Sequence, residues 1–223
     1  MKKWVFLSHQ INEKTPVYGN AESFKSETVN SMKKGNSCNS EKWFFSNHTG
    51  THIDCPFHFS KNGKKINDYP PEFWIFSNTY CLDISPIPPS TIIDEKYLSL
   101  ENISPNIELL LIKSGFCYNR NELIYWNHNP GLSPDIYSIF RKTFTSLRAV
   151  GFDMISISSW KNRQLGRNAH KAFLDNDNPI LLIEDMDLTA IYSQTDFDLV
   201  IVSPLIVKNA DASPCTILSK VKQ

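Results

Sequence analysis

The sequence predicts a single strand-rich α/β domain that spans residues 1–223, and three observations favour this fold class. Short aliphatic runs that end at turn residues outnumber the amphipathic helical patterns. A chain of 223 residues can bury a hydrophobic core without disulfide staples. The strongest break in composition, Pro86-Ile87-Pro88-Pro89, is short and is typical of a connector between elements.

Five short segments are predicted to be strands. Each is rich in aliphatic or aromatic side chains and is bounded by polar or turn-forming residues, as buried strands are. The polar segment over residues 19–42 has few aliphatic side chains and is expected to form a loop. The predicted strands are residues 73–76, 80–84, 107–113, 179–183 and 199–202.

Two helices are predicted. Ser133-Pro134-Asp135 supplies an N-cap residue and a proline at the first helical position. The helix is expected to run to about Leu147, because apolar side chains recur along one of its sides. A shorter helix is predicted over residues 168–174. The apolar side of the longer helix comprises Ile136, Ile139, Phe140, Phe144 and Leu147.

Charge and cysteine content exclude several classes of protein. The 23 Lys and Arg residues balance 23 Asp and Glu residues, which argues against a nucleic-acid binder or a protein drawn to anionic membranes. The five cysteines are widely spaced without a C-x-x-C pair, so neither a disulfide framework nor a cysteine zinc finger is expected. The apolar run after Lys3 is too short for a signal-peptide core, and no segment has the length of a membrane helix, so the predicted location is the cytoplasm.

Three of the six histidines fall in one short segment, His48-Thr49-Gly50-Thr51-His52-Ile53-Asp54-Cys55-Pro56-Phe57-His58. A helix would bring residues four apart together, but the glycine, the proline and the β-branched residues oppose a helix. In an extended chain the even-numbered residues 48, 52, 54 and 58 share one face. The pattern therefore predicts an extended segment with its polar side chains on a single side.

Two imidazoles and a carboxylate on one face are ligands that suit Zn²⁺ or Mn²⁺. No thiolate ligand is evident, since Cys55 falls on the opposite face, where it is expected to be a small buried hydrophobic residue. Water can then take an open coordination position, which is typical of a catalytic metal site. The alternative is a polar strand face with solvated histidines, for which this clustering at alternating positions would be a coincidence.

Other enzyme signatures are missing from the sequence. It contains no G-x-S-x-G nucleophile elbow, no G-x-G-x-x-G dinucleotide motif and no G-x-x-x-x-G-K-[ST] phosphate loop. Metal-assisted chemistry is the class that remains.

Residues 48–58 fit the pattern H-x-G-T-H-x-D-x-P-x-H, and the chain thereby resembles the cyclase family, which includes bacterial kynurenine formamidase and isatin hydrolase. Other segments resemble the family in the same order, so the resemblance covers nearly the whole chain. They are residues 7–11, 15–18, 111–116, 130–134, 151–153, His170, 179–188 and 204–214.

The resemblance implies a swivelling β/β/α fold of the kynurenine formamidase type and two divalent metal ions side by side. Zn²⁺ is the expected ion and Mn²⁺ the alternative. By resemblance, His48, His52 and Asp54 would hold the first ion, and Asp54 would also reach the second. His170 would bind the second ion, and Glu184 would contact both.

Two further roles follow from the resemblance. His58 matches the residue that donates and accepts protons in the family. Tyr18 occupies a position where the formamidase has an aromatic residue against the substrate ring. The implied activity is that of an arylformamidase, which hydrolyses N-formylkynurenine to kynurenine and formate in tryptophan catabolism.

Some assignments stay open at this point. A lone helical histidine such as His170 is more often a packed or surface residue than a ligand, and Tyr18 could pack against the protein. Asp185 or Asp187 could replace Glu184 as the ligand.

The chain also departs from the family at three places, where Gly19-Asn20, Ser158 and Asp185 stand in place of the residues usual there. These positions surround substrate-facing loops, so they bear on the substrate more than on the metal.

Two rival functions are retained. A cyclic amide such as isatin could be the substrate of the same centre. A metal-binding protein without catalysis is the other rival, against which His58 argues because storage or sensing needs no proton shuttle. Members of the family usually associate, so a homodimer or larger homo-oligomer is expected, with a small aryl amide as the ligand and no nucleic-acid or membrane partner.

Overall fold

Strands account for most of the regular structure in the computed structural model, which describes residues 2–222. Thirteen strands and three α-helices are joined by short 3₁₀ turns across this range. The strands are β1 (Lys2–Phe6), β2 (Lys25–Asn30), β3 (Ser40–Phe44), β4 (His52–Asp54), β5 (Ile75–Phe76), β6 (Thr79–Asp83), β7 (Ile92–Ile93), β8 (Leu109–Lys113), β9 (Gly131–Leu132), β10 (Ala149–Phe152), β11 (Leu181–Glu184), β12 (Asp196–Pro204) and β13 (Ala212–Lys222). The helices are α1 (Ile124–Asn127), α2 (Ile136–Thr143) and α3 (Arg163–Leu174).

Nine of the strands form one mixed sheet in the order β5-β12-β13-β4-β11-β10-β8-β6, and β1 pairs with β13. The segment from β11 to β6 is parallel, whereas β4 is antiparallel to both of its neighbours, β11 and β13. The two strands at the ends of this order, β5 and β6, are separated in the chain only by Ser77 and Asn78. The sheet therefore curls until its ends approach each other, in the manner of a nearly closed barrel.

The sheet has a hydrophobic core on each face. Along β8, Leu109 and Leu111 join one core and Leu110 and Ile112 join the other, because successive strand side chains point to opposite faces. The core that includes Leu110 also contains the buried side chains of α2 and α3, and we call it the helix core. The core that includes Leu109 is built from strands and loops, and we call it the strand core.

Helices α2 and α3 cover the face of the sheet that carries the helix core. The rings of Phe140 and Phe173 meet edge to face, with centroids 6.2 Å apart. Helix α3 begins where the Asn162 side chain accepts a hydrogen bond from the backbone N–H of Leu165. This packing fixes the side of α3 that faces the sheet.

Most of the predicted strands are confirmed. Residues 80–84, 107–113, 179–183 and 199–202 fall in or overlap β6, β8, β11 and β12. The strand predicted at 73–76 is wrong in its first half, because residues 71–74 form a 3₁₀ turn that places the Trp74 side chain in the strand core. All five cysteines are free, and Cys55 is fully buried in the strand core as predicted.

Three other local predictions need correction. The segment 19–42 is not a loop throughout, because it contains β2 and most of the paired strand β3. Helix α2 ends at Thr143 rather than near Leu147, since Phe144 already has extended backbone angles. Helix α3 begins at Arg163 and is longer than the predicted 168–174.

Within residues 2–222, no helix combines the length and apolar character that crossing a membrane requires.

Candidate metal centre

One cavity brings together all the side chains that the sequence singles out. It has a volume of about 220 Å³ and opens beside α3 on the helix face of the sheet. The seven predicted site residues line it together: Tyr18, His48, His52, Asp54, His58, His170 and Glu184.

Strand pairing places the first of the predicted ligands. Ile53 lies in the strand core, so its neighbours His52 and Asp54 point to the opposite face, toward α3. In the antiparallel pairing of β4 with β11, His52 lies directly across from Glu184, and His52 Nε2 is 3.5 Å from Glu184 Oε2. The sheet alone therefore positions three of the predicted ligands.

His48 and His58 lie just outside β4, in turns rather than in an extended segment. Gly50 has a φ of +69°, which favours glycine, and the turn it allows folds His48 back until its ring centroid is 5.1 Å from that of His52. His58 ends the 3₁₀ turn that starts at Pro56. The prediction of one extended face over residues 48–58 is thus correct only for β4, although all four polar side chains reach the same cavity.

Two of the histidines have one ring nitrogen fixed by a backbone carbonyl. His52 Nδ1 lies 2.9 Å from the carbonyl oxygen of Gly50, and His170 Nδ1 lies 2.9 Å from that of Gly166. Since a carbonyl oxygen only accepts hydrogen bonds, Nδ1 carries the proton in both rings and Nε2 faces the acids of the cavity. Metal-binding histidines usually have such a partner on the outer nitrogen.

Asp54 lies at the centre of this arrangement and is fully buried. Its Oδ1 is 3.1 Å from His48 Nδ1 and 3.5 Å from His52 Nε2, and its Oδ2 is 3.7 Å from His170 Nε2. Among residues 2–222, no side chain or backbone group gives Oδ1 a hydrogen bond of acceptable geometry. An orphaned carboxylate oxygen at this depth is the position that a cation would satisfy.

Electrostatics reflect the same convergence of acids and imidazoles. Burial raises the pKa of Asp54, but the neighbouring His170 and His48 outweigh this effect and hold it well below its usual range. Burial lowers the pKa of His48, whereas its contacts with Asp211 and Asp54 raise it to about 10. The pKa of His170 also rises to about 10, because contacts with Asp54 and Glu184 outweigh burial. Without a metal, these groups compensate one another as ion pairs.

The donor atoms form two overlapping groups that share Asp54. His52, Asp54 and Glu184 each offer one atom within 4.8 Å of the others, and so do His48, Asp54 and His58. Imidazole nitrogens and carboxylate oxygens at such distances fit a divalent cation such as Zn²⁺ or Mn²⁺. His58 therefore lies within reach of a metal as well as of a substrate.

The second carboxylate of the cavity is Glu184. Its Oε1 accepts hydrogen bonds from the Ile157 backbone N–H at 2.7 Å and the Ser156 hydroxyl at 3.1 Å, and it lies 3.4 Å from His170 Nε2. Asp185, with a φ of +52°, turns away from the cavity.

The two acids that follow Glu184 are engaged elsewhere. Asp185 accepts a hydrogen bond from Arg120 Nε at 2.8 Å and another from Arg120 Nη2 at 2.7 Å. Asp187 accepts hydrogen bonds from Thr189. Neither Asp185 nor Asp187 lines the cavity, whereas Glu184 does, and this supports Glu184 as the predicted ligand.

Asp211 is a site residue that the sequence analysis misses. Its Oδ2 accepts a hydrogen bond from His58 Nδ1 at 2.7 Å and lies 3.3 Å from His48 Nε2. Asn47 Nδ2 donates to the other oxygen, Oδ1, at 2.7 Å. The two histidines hold the pKa of Asp211 below its usual range, so the carboxylate stays charged and orients both rings.

Aromatic rings line part of the cavity wall. Phe59 stacks on His170 with ring centroids 4.9 Å apart, and Tyr18 meets Trp160 edge to face with ring centroids 5.3 Å apart. Phe59 was not predicted, because no local pattern distinguishes it from a core phenylalanine. An aryl group that enters the cavity would contact Tyr18 and Phe59.

The chain is similar in sequence to known proteins along most of its length. A family model described as "Putative cyclase" matches residues 5–159. The kynurenine formamidase of Bacillus anthracis is 28% identical over 212 residues, which cover 95% of this chain and 94% of that protein. The kynurenine formamidase of Geobacillus thermodenitrificans is 28% identical over 218 residues, with coverage of 96% and 95%.

Solved structures show the same fold. Isatin hydrolase A from Labrenzia aggregata, bound to benzyl benzoate, has a TM-score of 0.84 at 19% identity and covers 100% of this chain and 94% of its own. A structure titled "predicted metal-dependent hydrolase from Bacillus stearothermophilus" has a TM-score of 0.77 at 20% identity, with coverage of 99% and 98%. The strand-rich α/β fold predicted from the sequence is thereby confirmed. Since the family match spans well over half of the chain and begins at its first strand, the protein belongs to the cyclase family.

Proposed function

We propose that the protein is a metal-dependent amide hydrolase of the arylformamidase type, which converts N-formylkynurenine to kynurenine and formate. The observation that carries the proposal is the convergence of five ligand-type side chains with His58 in one cavity that also has an aromatic wall. The full-length relationship to kynurenine formamidases supports the choice of substrate.

The proposed centre holds two divalent cations, with Zn²⁺ expected and Mn²⁺ as the alternative. His48, His52 and Asp54 would hold one cation, and Asp54, His170 and Glu184 the other. Cations bound there supply Lewis-acid polarisation of the amide carbonyl and lower the pKa of a water molecule. The protein contributes the buried carboxylates that reduce the repulsion between two neighbouring positive charges.

His58 is the proposed proton donor to the leaving nitrogen. In the hydrolysis, a water oxygen bonds to the formyl carbon, the C–N bond breaks, and the arylamine nitrogen takes up a proton. Because Asp211 fixes the proton of His58 on Nδ1, Nε2 is the nitrogen that can transfer a proton in the cavity. Asp211 also stabilises the imidazolium that forms when His58 takes the proton of the water.

The aryl ring of the substrate is proposed to lie against Tyr18 and Phe59. Both rings line the cavity, and burial between them would exclude water from the amide while the reaction proceeds. The predicted cytoplasmic location and the homodimeric or larger assembly remain predictions that accompany this function.

The test is a substrate panel with protein purified without chelators and analysed for metal. We expect stoichiometric release of formate and an arylamine from N-formylkynurenine. Ring opening of isatin without formate release would move the assignment to the cyclic amide hydrolase. Bound metal without hydrolysis of either substrate would favour the non-catalytic metal-binding protein.

A further inference from the structure

Two arginines face the same cavity and have no acidic partner. Arg163 and Arg167 both line it and are exposed at its opening. Arg163 lies over the Trp160 ring at 4.8 Å, and Arg167 donates to the amide oxygen of Gln164 at 3.0 Å. Among the described residues, neither guanidinium forms an ion pair with a carboxylate.

The other three arginines of the chain are used differently. Arg120 forms a bidentate ion pair with Asp185. Arg148 pairs with Glu108 at 3.1 Å, and Arg141 donates to three backbone carbonyl oxygens. These three guanidinium groups are held by a carboxylate or by several backbone carbonyl oxygens. Arg163 and Arg167, which lack both kinds of partner among the described residues, line the cavity.

Helix geometry sets how far these arginines lie from the proposed metal ligands. On α3, Arg163 precedes His170 by seven residues and Arg167 precedes it by three. All three side chains therefore lie on one side of the helix. At 1.5 Å per residue, Arg167 is about 4.5 Å and Arg163 about 10 Å from His170 along the helix axis. A molecule with its scissile bond beside His170 would extend past both guanidinium groups.

The guanidinium groups of Arg163 and Arg167 also lie near Tyr18. Burial raises the pKa of the Tyr18 phenol, and the positive charges of Arg163 and Arg167 oppose that rise. Within residues 2–222, no hydrogen bond of acceptable geometry reaches the buried Tyr18 hydroxyl, but the Arg163 guanidinium lies close enough to interact with it. The cavity therefore combines an aromatic ring, its hydroxyl and two guanidinium groups without carboxylate partners.

We propose that Arg163 and Arg167 bind a carboxylate of the substrate, so that the preferred substrates are aryl amides that carry a carboxylate group about one to two helical turns from the scissile bond. The inference rests on the proposed function for the orientation of the amide toward His170. Arginine suits this task because its planar fork gives two parallel hydrogen bonds to a carboxylate. Kynurenine and its formyl derivative carry such a carboxylate at the end of their side chain.

Binding of the product tests the proposal without any need for turnover. The affinities of kynurenine and of kynurenine carboxamide, which has the same shape without the negative charge, are measured by calorimetry on the metal-loaded protein. We expect kynurenine to bind about tenfold or more tightly than the carboxamide, and the R163Q/R167Q double variant to bind both equally. Equal affinities in the unmodified protein would overturn the proposal.

Hydrolysis gives a second readout. For N-formylkynurenine the double variant should raise KM about tenfold or more with little change in kcat, whereas KM for its carboxamide should change less than about twofold. Lys171→Gln removes a positive charge from the exposed side of the same helix and serves as the control, with both KM values unchanged. Parallel increases of KM for both substrates would contradict carboxylate recognition.

Formanilide, which has no carboxylate, separates this proposal from the proposed function. If the protein binds kynurenine more tightly than its carboxamide but hydrolyses neither formanilide nor N-formylkynurenine, the proposed hydrolase function is refuted and carboxylate binding by Arg163 and Arg167 is retained. If it hydrolyses formanilide, N-formylkynurenine and the carboxamide of N-formylkynurenine alike, and binds kynurenine no better than its carboxamide, only carboxylate binding is refuted.

Discussion

The carboxylate of Asp211 lies 2.7 Å from Nδ1 of His58, although 153 residues separate the two along the chain. Two backbone pairings bring them together. Ala212, the first residue of β13, lies across from Asp54 in the sheet, and the Cys55 backbone N–H donates to the carbonyl oxygen of Asp211 at 2.9 Å. The position of this acid is therefore set by the same strand that carries the proposed ligands.

Asp211→Asn should lower kcat strongly with little change in KM. The amide has nearly the same size, but it can no longer hold the His58 ring in one tautomer or stabilise its charged form. We expect a decrease in kcat of about 10²- to 10⁴-fold when metal is saturating. Asp187→Asn, a carboxylate outside the cavity, is the matched control and should leave kcat unchanged. An Asp211→Asn enzyme with full kcat would contradict the role given to Asp211.

His58→Ala should abolish turnover while the metal content stays the same. The proposed donor contributes about 10²- to 10⁴-fold to the rate, and the five proposed ligands remain in place. Metal content is measured by mass spectrometry of the purified protein, with His128→Gln as a control for loss of a histidine outside the cavity. Loss of one ion per chain would instead make His58 a ligand, together with His48 and Asp54.

Removal of the metal should abolish hydrolysis reversibly. Dialysis against a chelator is expected to remove activity, and Zn²⁺ or Mn²⁺ should restore it. Asp54→Asn should prevent this recovery, because the carboxylate is shared by both proposed ion positions. The exposed Asp177→Asn variant is the control and should recover fully. Activity that survives complete removal of metal would exclude the proposed chemistry.

The stability of the metal-free protein should fall as the pH rises from about 7 to about 10. The pKa values of His48 and His170 are raised to about 10, above the ordinary value of about 6.5 for an unfolded histidine. A raised pKa stabilises the fold fully below pH 6.5, and this contribution is lost as the pH passes through the folded value. Thermal melting after chelation measures the effect.

The stabilisation that bound metal provides should increase as the pH rises, whereas the stability of the metal-free protein falls. A cation competes with the protons on the imidazoles, so the increase in melting temperature on adding Zn²⁺ should grow over the same pH interval. A metal-induced shift that is constant with pH would mean that His48 and His170 do not lose protons on binding.

Gly166→Ala should destabilise the protein, although alanine favours a helix more than glycine does. A Cβ at Gly166 would lie 2.5 Å from the Cα of Ser158, so α3 would have to move away from the cavity wall. We expect a loss of about 1–3 kcal/mol in the free energy of unfolding, measured by urea denaturation. Asn168→Ala on the exposed side of α3 is the control, for which no loss is expected. Equal stability of both variants would show that α3 can shift freely.

The sequence predicts the strand-rich α/β fold and most of the central strands because their aliphatic runs are local signals. It does not predict the hairpin of β2 and β3, which begins within residues 19–42 and extends to Phe44, because its side chains are largely polar and exposed. The segment 48–58 illustrates the same limit. Its composition excludes a helix, but only the pairing of β4 with its neighbours decides which three residues become a strand.

Residues of the site were predictable only where a motif or the family order marks them. Asp211 has no local pattern, since an acid before a strand is common, and its role depends on a pairing between distant segments. Arg163 and Arg167 were missed because the predicted helix began at residue 168. With the helix extended to Arg163, their spacing from His170 would have placed all three on one side.

The proposed ligands come from two different sources, the sheet with its adjoining turn and helix α3. Pairing of β4 with β11 sets His52 opposite Glu184, whereas His170 joins them only when α3 docks on the sheet. A displacement of α3 would therefore take His170 away from the acids that the sheet carries. The second proposed cation position would be lost, whereas His48, His52 and Asp54 could still hold the first cation.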